Sequence, residues 1–175
     1  MSKLRTANLL GALAVAVGDR LEGQLKSHPN QTDSAAAALN LVGFYEGCTN
    51  GALSASLGLS HTATVRLLDR LESHGLVERR AAERDQRAVA LYLTRNGRAR
   101  LREILAARCA ALCDVIASLS VSEERQLAHL LDKILRTLTK AASDADHICR
   151  LCDETACPAR ICPVHQAGLA LAKVD

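Results

Sequence analysis

Apolar residues at Leu10, Leu13, Val17, Leu21 and Leu25 recur every three or four positions, the period of one face of an α-helix. This spacing predicts one helix from Lys3 to Lys26. It should end at His28-Pro29-Asn30, because proline cannot donate the next helical hydrogen bond. A second helix is expected over Ala35–Tyr45, capped by Thr32 or Asp33. A short third runs from Asn50 or Gly51 to Leu57 and stops at Gly58. Ser60 then caps a fourth, with Val65, Leu68 and Leu71 turned inward and Gly75 as its C-terminal stop.

After Gly75 the period shortens. Leu76–Arg80 and Ala88–Leu93 read as two strands joined by the charged turn Ala81–Arg87, a β-hairpin with an arginine-bearing tip. Thr94 caps a long fifth helix to Leu119 that carries Leu101, Leu105, Leu112 and Ile116. Ser120 or Ser122 caps a sixth to about Lys140, with Glu123 and Glu124 in the first turn, where the helix dipole favours acids. The expected fold class is mainly α with a small β-hairpin wing: a winged helix-turn-helix plus a helical region. Residues 31–94 form the winged unit and residues 1–30 and 95–140 the helical region that flanks it. Residues 141–175 form a separate Cys-rich, metal-binding C-terminal extension.

Of the 175 residues 49% are hydrophobic, yet Phe44, Tyr45 and Tyr92 are the only aromatics. That argues against RNA or single-stranded nucleic acid, whose binding sites rely on aromatic stacking. The apolar run Ala7–Val17 is too short to span a bilayer and continues unbroken into the charged Asp19–Lys26. We read it as part of an amphipathic helix of a cytoplasmic protein, with no membrane partner.

The net charge of +3 is unevenly placed. Between Ser60 and Arg102 stand ten Arg against five acids, which leaves the rest of the chain at −2. All five lysines lie outside this window, so the basic region consists of arginine, the better residue for bidentate phosphate and guanine contacts. Short helix, tight turn, capped second helix and basic hairpin are the parts of a major-groove reader. Ser60, His61, Thr62, Thr64 and Arg66 are expected at the base edges and Arg70 at a phosphate. Arg84 and Arg87 of the hairpin tip suit an adjacent minor groove, where the potential is strongly negative. Asp85 is expected to hold the wing through an ion pair within the chain, with Arg87 or an arginine of the fourth helix.

Residues 50–101 carry Leu57-Gly58-Leu59-Ser60, Thr64-Val65, Leu68–Glu72, Gly75–Arg80, Asp85–Ala88 and Leu91–Gly97 at fixed spacing. This run resembles the multiple antibiotic resistance regulator (MarR) family. It departs from the family pattern at Gln86, where an arginine usually stands in the wing tip. The resemblance implies a homodimer built through the first, fifth and sixth helices and bound to palindromic double-stranded DNA. It also implies, commonly, a repressor whose affinity a ligand, metal or oxidant changes.

Seven cysteines fall into two groups. Cys48, Cys109 and Cys113 sit in helical surroundings and read as small buried apolar residues. Cys149, Cys152, Cys157 and Cys162 form a C-x2-C-x4-C-x4-C cluster, with Pro158 and Pro163 after two of them. In a reducing compartment such clustered thiols point to a metal centre. One Cys-rich loop with Cys-Pro dipeptides favours an iron–sulfur cluster acting as a redox, gas or iron sensor. Zinc on four thiolates, or on three with His165 or His147, is the alternative, followed by a thiol–disulfide switch. The resemblance does not extend to this motif.

The expected function is therefore a DNA-binding regulator that reads a pseudo-palindrome whose half-sites lie about 34 Å apart. A small organic effector between the dimerisation helices and the winged lobe is the alternative signal. An enzyme is the remote reading: the chain has no nucleotide-binding glycine loop and no paired catalytic carboxylates to support redox catalysis at the cysteines.

Overall fold

The computed structural model describes residues 2–26, 32–82 and 89–173. The wing tip, with Arg84, Asp85, Gln86 and Arg87, lies outside the described residues.

Hydroxyl caps set the helix starts. Thr32, Thr49, Ser60, Thr94 and Ser120 each accept a hydrogen bond from the backbone N–H three residues on. Each thereby satisfies one of the orphan donors of a first helical turn. They open α2 (Asp33–Phe44), α3 (Asn50–Leu57), α4 (His61–Ser73), α5 (Arg95–Ile116) and α6 (Val121–Leu138), while α1 covers Lys3–Lys26. Gly58 and Gly75, at φ of 65° and 64°, make the left-handed stops after α3 and α4.

The core forms around α2, whose residues from Ala35 to Val42 are all buried. Four consecutive alanines let α3, α4, α5 and the sheet approach this helix from every side. The sheet has three antiparallel strands, not the two expected. β1 (Cys48–Thr49) pairs with β3 (Val89–Leu93), which also pairs with β2 (Val77–Ala81), in the order β1-β3-β2. Cys48 thus belongs to a strand and is half-buried. At the entry to α5, a Cβ on Gly97 would stand 1.9 Å from the Leu76 carbonyl oxygen, so only glycine allows this approach.

On α4 the inward face is Thr64, Leu67, Leu68 and Leu71, with Val65 outside the buried set. The expected face is therefore shifted by one position at its start. The Thr64 hydroxyl donates to the Ser60 carbonyl at 3.1 Å, and this bond satisfies it inside the core.

Helix α1 lies along α5, tied by Arg20 to Asp114 at 2.6 Å and to the Ala111 carbonyl at 3.1 Å. Val17 and Leu21 are half-buried there, while Leu4, Leu9, Leu10, Leu13 and Val15 remain exposed. Helix α6 buries no residue at all, and Leu130, Leu131, Ile134 and Leu138 are exposed. Cys109 and Cys113 correct the expectation of buried apolar cysteines: both are exposed on α5, their sulfurs 3.7 Å apart.

Residues after 140 are not a separate appendage. They form α7 (Ala142–Cys149) and α8 (Pro163–Leu171), which pack on each other. Helix α8 touches α6, and α7 packs against α3 of the helix-turn-helix. Among the described residues no single helix is long and apolar enough to cross a membrane.

Candidate nucleic-acid interface and thiol centre

The outward side of α4 and its cap carries Ser60, His61, Thr62, Arg66 and Arg70, all exposed. Ser60 spends its hydroxyl on the helix cap, 3.2 Å from the Ala63 N–H. The His61 ring receives a hydrogen bond from Asn50 Nδ2 at 3.1 Å, which orients it from α3. Thr64 must be removed from the reading face, because it is fully buried. Arg66 and Arg70 make no ion pair among the described residues. Arg84 and Arg87 lie outside those residues, as does Asp85.

The ten-arginine window separates by role. Arg79 of β2 bridges to Glu72 and, at 2.7 Å, to Asp69, both on α4, and so fastens the wing to the reading helix. Arg80 pairs with Glu78 and lies 4.9 Å above the Tyr92 ring. Arg98 reaches Glu46 at 2.7 Å, joining α5 to the end of α2. Among the described residues Arg79 thus ties the wing strand β2 to α4.

The four C-terminal cysteines come together. Cys149 ends α7, Cys152 follows in a turn whose N–H donates to the Cys149 carbonyl at 2.8 Å, and Cys162 caps α8. Cys157 sits in a second turn, its N–H donating to the Asp153 carbonyl at 2.9 Å. All four line one small cavity with Tyr45, Asp146, Glu154 and His165. The sulfurs of Cys149 and Cys162 are 3.8 Å apart, and the His165 N–H donates to the Cys162 sulfur at 3.5 Å. All are free thiols.

Their ionisation is mutually dependent. A hydrogen bond from Cys149 brings Cys152 down to about 7 against the opposition of burial, with the positive charge of Arg108 assisting. The same hydrogen bond, together with burial, drives Cys149 far up, and burial beside Cys162 raises Cys157 to about 11. A site that favours one thiolate among neutral partners needs a cation before all four can ionise. Among the described residues no group of three or more His, Cys, Asp or Glu is placed to hold a metal ion. His147 is engaged elsewhere: its ring packs 3.7 Å from the Cβ position of Gly58. His165 stays at the cavity wall.

A capped reading helix between a short helix and an antiparallel wing defines a winged helix-turn-helix. Residues 32–88 match the model of the MarR family. The chain is 37% identical over 92 residues to the transcriptional repressor MprA of Escherichia coli K12, a stretch covering 53% of this chain and 52% of MprA. The match therefore spans about half the length of the curated relative. A MarR family protein from Bacillus stearothermophilus superposes with a TM-score of 0.69 at 29% identity, over 80% of this chain and 99% of that one. A mutant of MarR from E. coli, with one cysteine replaced by serine, gives 0.60 at 27% identity, over 72% and 96%. Residues 32–88 thus resemble the winged helix-turn-helix of the MarR family, and the chain shares the fold of MarR family proteins over most of its length.

Proposed function

We propose that this chain is a transcriptional repressor that binds double-stranded DNA at a palindromic operator as a homodimer. The observation that carries this reading is the outward row of α4. His61, Thr62, Arg66 and Arg70 face outward on a helix whose opposite face is locked into the core and whose flank is pinned to the wing by Arg79. Such a helix presents hydrogen-bonding groups rigidly to base edges and positive charge to phosphates. The repressor role named for MprA is extended to this chain on that basis.

The dimer is supported by leucines left exposed along α1 and α6, a patch that a lone soluble chain rarely leaves in water. The four C-terminal thiols supply the signal in this reading. They suit an iron–sulfur cluster that senses redox state, a gas or iron, and they suit zinc. The absorption spectrum of protein purified without oxygen, with iron, sulfide and zinc analysis, separates the two.

Selection of bound duplexes from a fragmented genome tests the function. The expected result is a set of inverted repeats with half-sites about 34 Å apart, bound more weakly as salt rises. Failure to bind any duplex at low salt, where the phosphate contribution is greatest, overturns it.

A further inference from the structure

We propose that α7 and α8 form a strut between α6 and the helix-turn-helix, so that the position of α6 fixes that of the reading helix α4. In so far as DNA reads that position, the inference rests on the function proposed above.

Only three residues, 139–141, separate α6 from α7. The Thr139 N–H and hydroxyl both donate to the Leu135 carbonyl, at 3.1 Å and 3.0 Å, and Thr139 is buried. The Asp144 carboxylate accepts from the Lys140 N–H at 2.7 Å and from the Ala141 N–H at 2.8 Å. Every amide of the joint is thus held, and a turn of α6 must carry α7 with it. Helix α8 stiffens the arrangement. It touches α6, and Gly168 brings it so close to α7 that an added Cβ would stand 3.1 Å from the Ala145 Cβ.

The other end of the strut is seated in the core. Asn40 is the polar side chain in the buried run of α2, only 3% exposed. Its Nδ2 donates to the carbonyls of Arg150 at 3.1 Å and Cys152 at 2.9 Å, just past the end of α7. Its Oδ1 has no hydrogen-bond partner among the described residues, so these two bonds are what offsets burial of the amide. Leu151, between the two carbonyls, packs against the core. On the same side Ser56 of α3 donates to Asp146 at 3.3 Å. The His147 ring lies 3.7 Å from the Cβ position of Gly58, in the turn that aims α4. Helix α5 already joins this unit to the frame, since it packs on both α2 and α1. One connection leaves a hinge, and the second removes that freedom.

The test uses the full chain and breaks the strut at each end. Asp144→Ala frees the joint to α6 without touching the core. Asn40→Asp removes the donor to the two carbonyls. Either should raise amide exchange at α3 and the Gly58 turn by roughly tenfold, with the wing strands unchanged. A buried carboxylate can unfold the chain, so Ser56→Ala, which removes only the contact to Asp146, is the companion and should give a smaller rise. Changing the spacer of a selected operator by one base pair turns one half-site by about 34° against the other. The parent should favour the selected spacing, and Asp144→Ala should cut that preference roughly fivefold or more, with affinity for a single half-site unchanged. A variant that was merely less stable would bind every spacing alike more weakly. Exchange at α3 unmoved by these substitutions overturns the strut. A loosened α3 with an unchanged spacing preference overturns its control of α4. A parent that binds no duplex removes the repressor reading, and exchange alone then decides the strut.

Discussion

Helices α2 and α6 are both rich in aliphatic side chains, yet they end in opposite environments. Every residue of α2 from Ala35 to Val42 is buried, whereas α6 buries none and leaves Leu130, Leu131, Ile134 and Leu138 in water. The difference is one of completeness. The winged core finds its apolar partners within its own chain. The frame of α1 and α6 is amphipathic, and among the described residues much of its apolar side stays exposed; in the proposed dimer a second copy would cover it.

The sharpest way to break this contrast is to charge the frame. Leu130→Glu combined with Ile134→Glu removes four apolar side chains from the proposed dimer, two from each copy. At roughly 1.5 kcal/mol each, association weakens by about 6 kcal/mol, roughly four orders of magnitude. Sedimentation should then show monomers that retain the winged fold. Dimers persisting at micromolar concentration would place the interface elsewhere. The matching change in the core is Leu39→Ala, which opens a cavity at a fully buried position. It should lower unfolding stability by about 3 kcal/mol while the protein stays dimeric, read from the denaturant midpoint at constant slope.

The same contrast divides the arginines. Arg79 is paired within the chain, to Asp69 and Glu72, while Arg66 makes no ion pair among the described residues. Arg66→Ala should cost about 1–3 kcal/mol of DNA affinity with little change in melting temperature. Arg79→Ala should cost about 1 kcal/mol of stability, discounted for its exposed partners, and affect DNA only through the position of the wing. Fluorescence anisotropy with a selected operator, alongside thermal melts, separates the two. Equal effects of both variants on both readouts would refute the division.

Local rules were enough to read most of the frame and the reading unit from the residues. Helix α1 has the bounds its leucine spacing predicts, and Gly58 and Gly75 end helices in the left-handed conformation expected of them. What escaped depends on distant neighbours. Strand β1 is two residues long and exists only because Leu91 and Ala90 lie opposite it. Thr64 counts as polar in a pattern, but the Ser60 carbonyl four residues back satisfies it and lets it turn inward. The thiol cluster was legible from its spacing, whereas its seat on α2 was not. Asn40 looks like any polar residue in a helix until Arg150 and Cys152, more than a hundred residues later, accept its amide.

The gentlest probe of core against frame is acid, because the two helices are capped by different chemistry. Thr32 caps α2 with a neutral hydroxyl. Helix α6 begins with a capping box in which Glu123 accepts from the Ser120 hydroxyl at 2.6 Å and from its N–H at 2.8 Å. These two hydrogen bonds, the hydroxyl's first, hold the Glu123 carboxyl below its ordinary value. A carboxyl whose value is lower folded than unfolded stabilises the fold fully above the unfolded value of 4.5. That contribution disappears as pH falls through the folded value. Lowering the pH from about 6 to about 3 should therefore reduce protection of the Ser120 amide before that of Ala35, whose N–H rests on Thr32. Glu123→Gln should flatten the acid dependence at α6 while leaving α2 unchanged. The effect is small because Glu123 is exposed, and it is local because charge at a helix end is felt within the first turn. Simultaneous loss of protection at both helix starts would mean that α6 is held by the same cooperative unit as the core, and the contrast drawn from burial would fail.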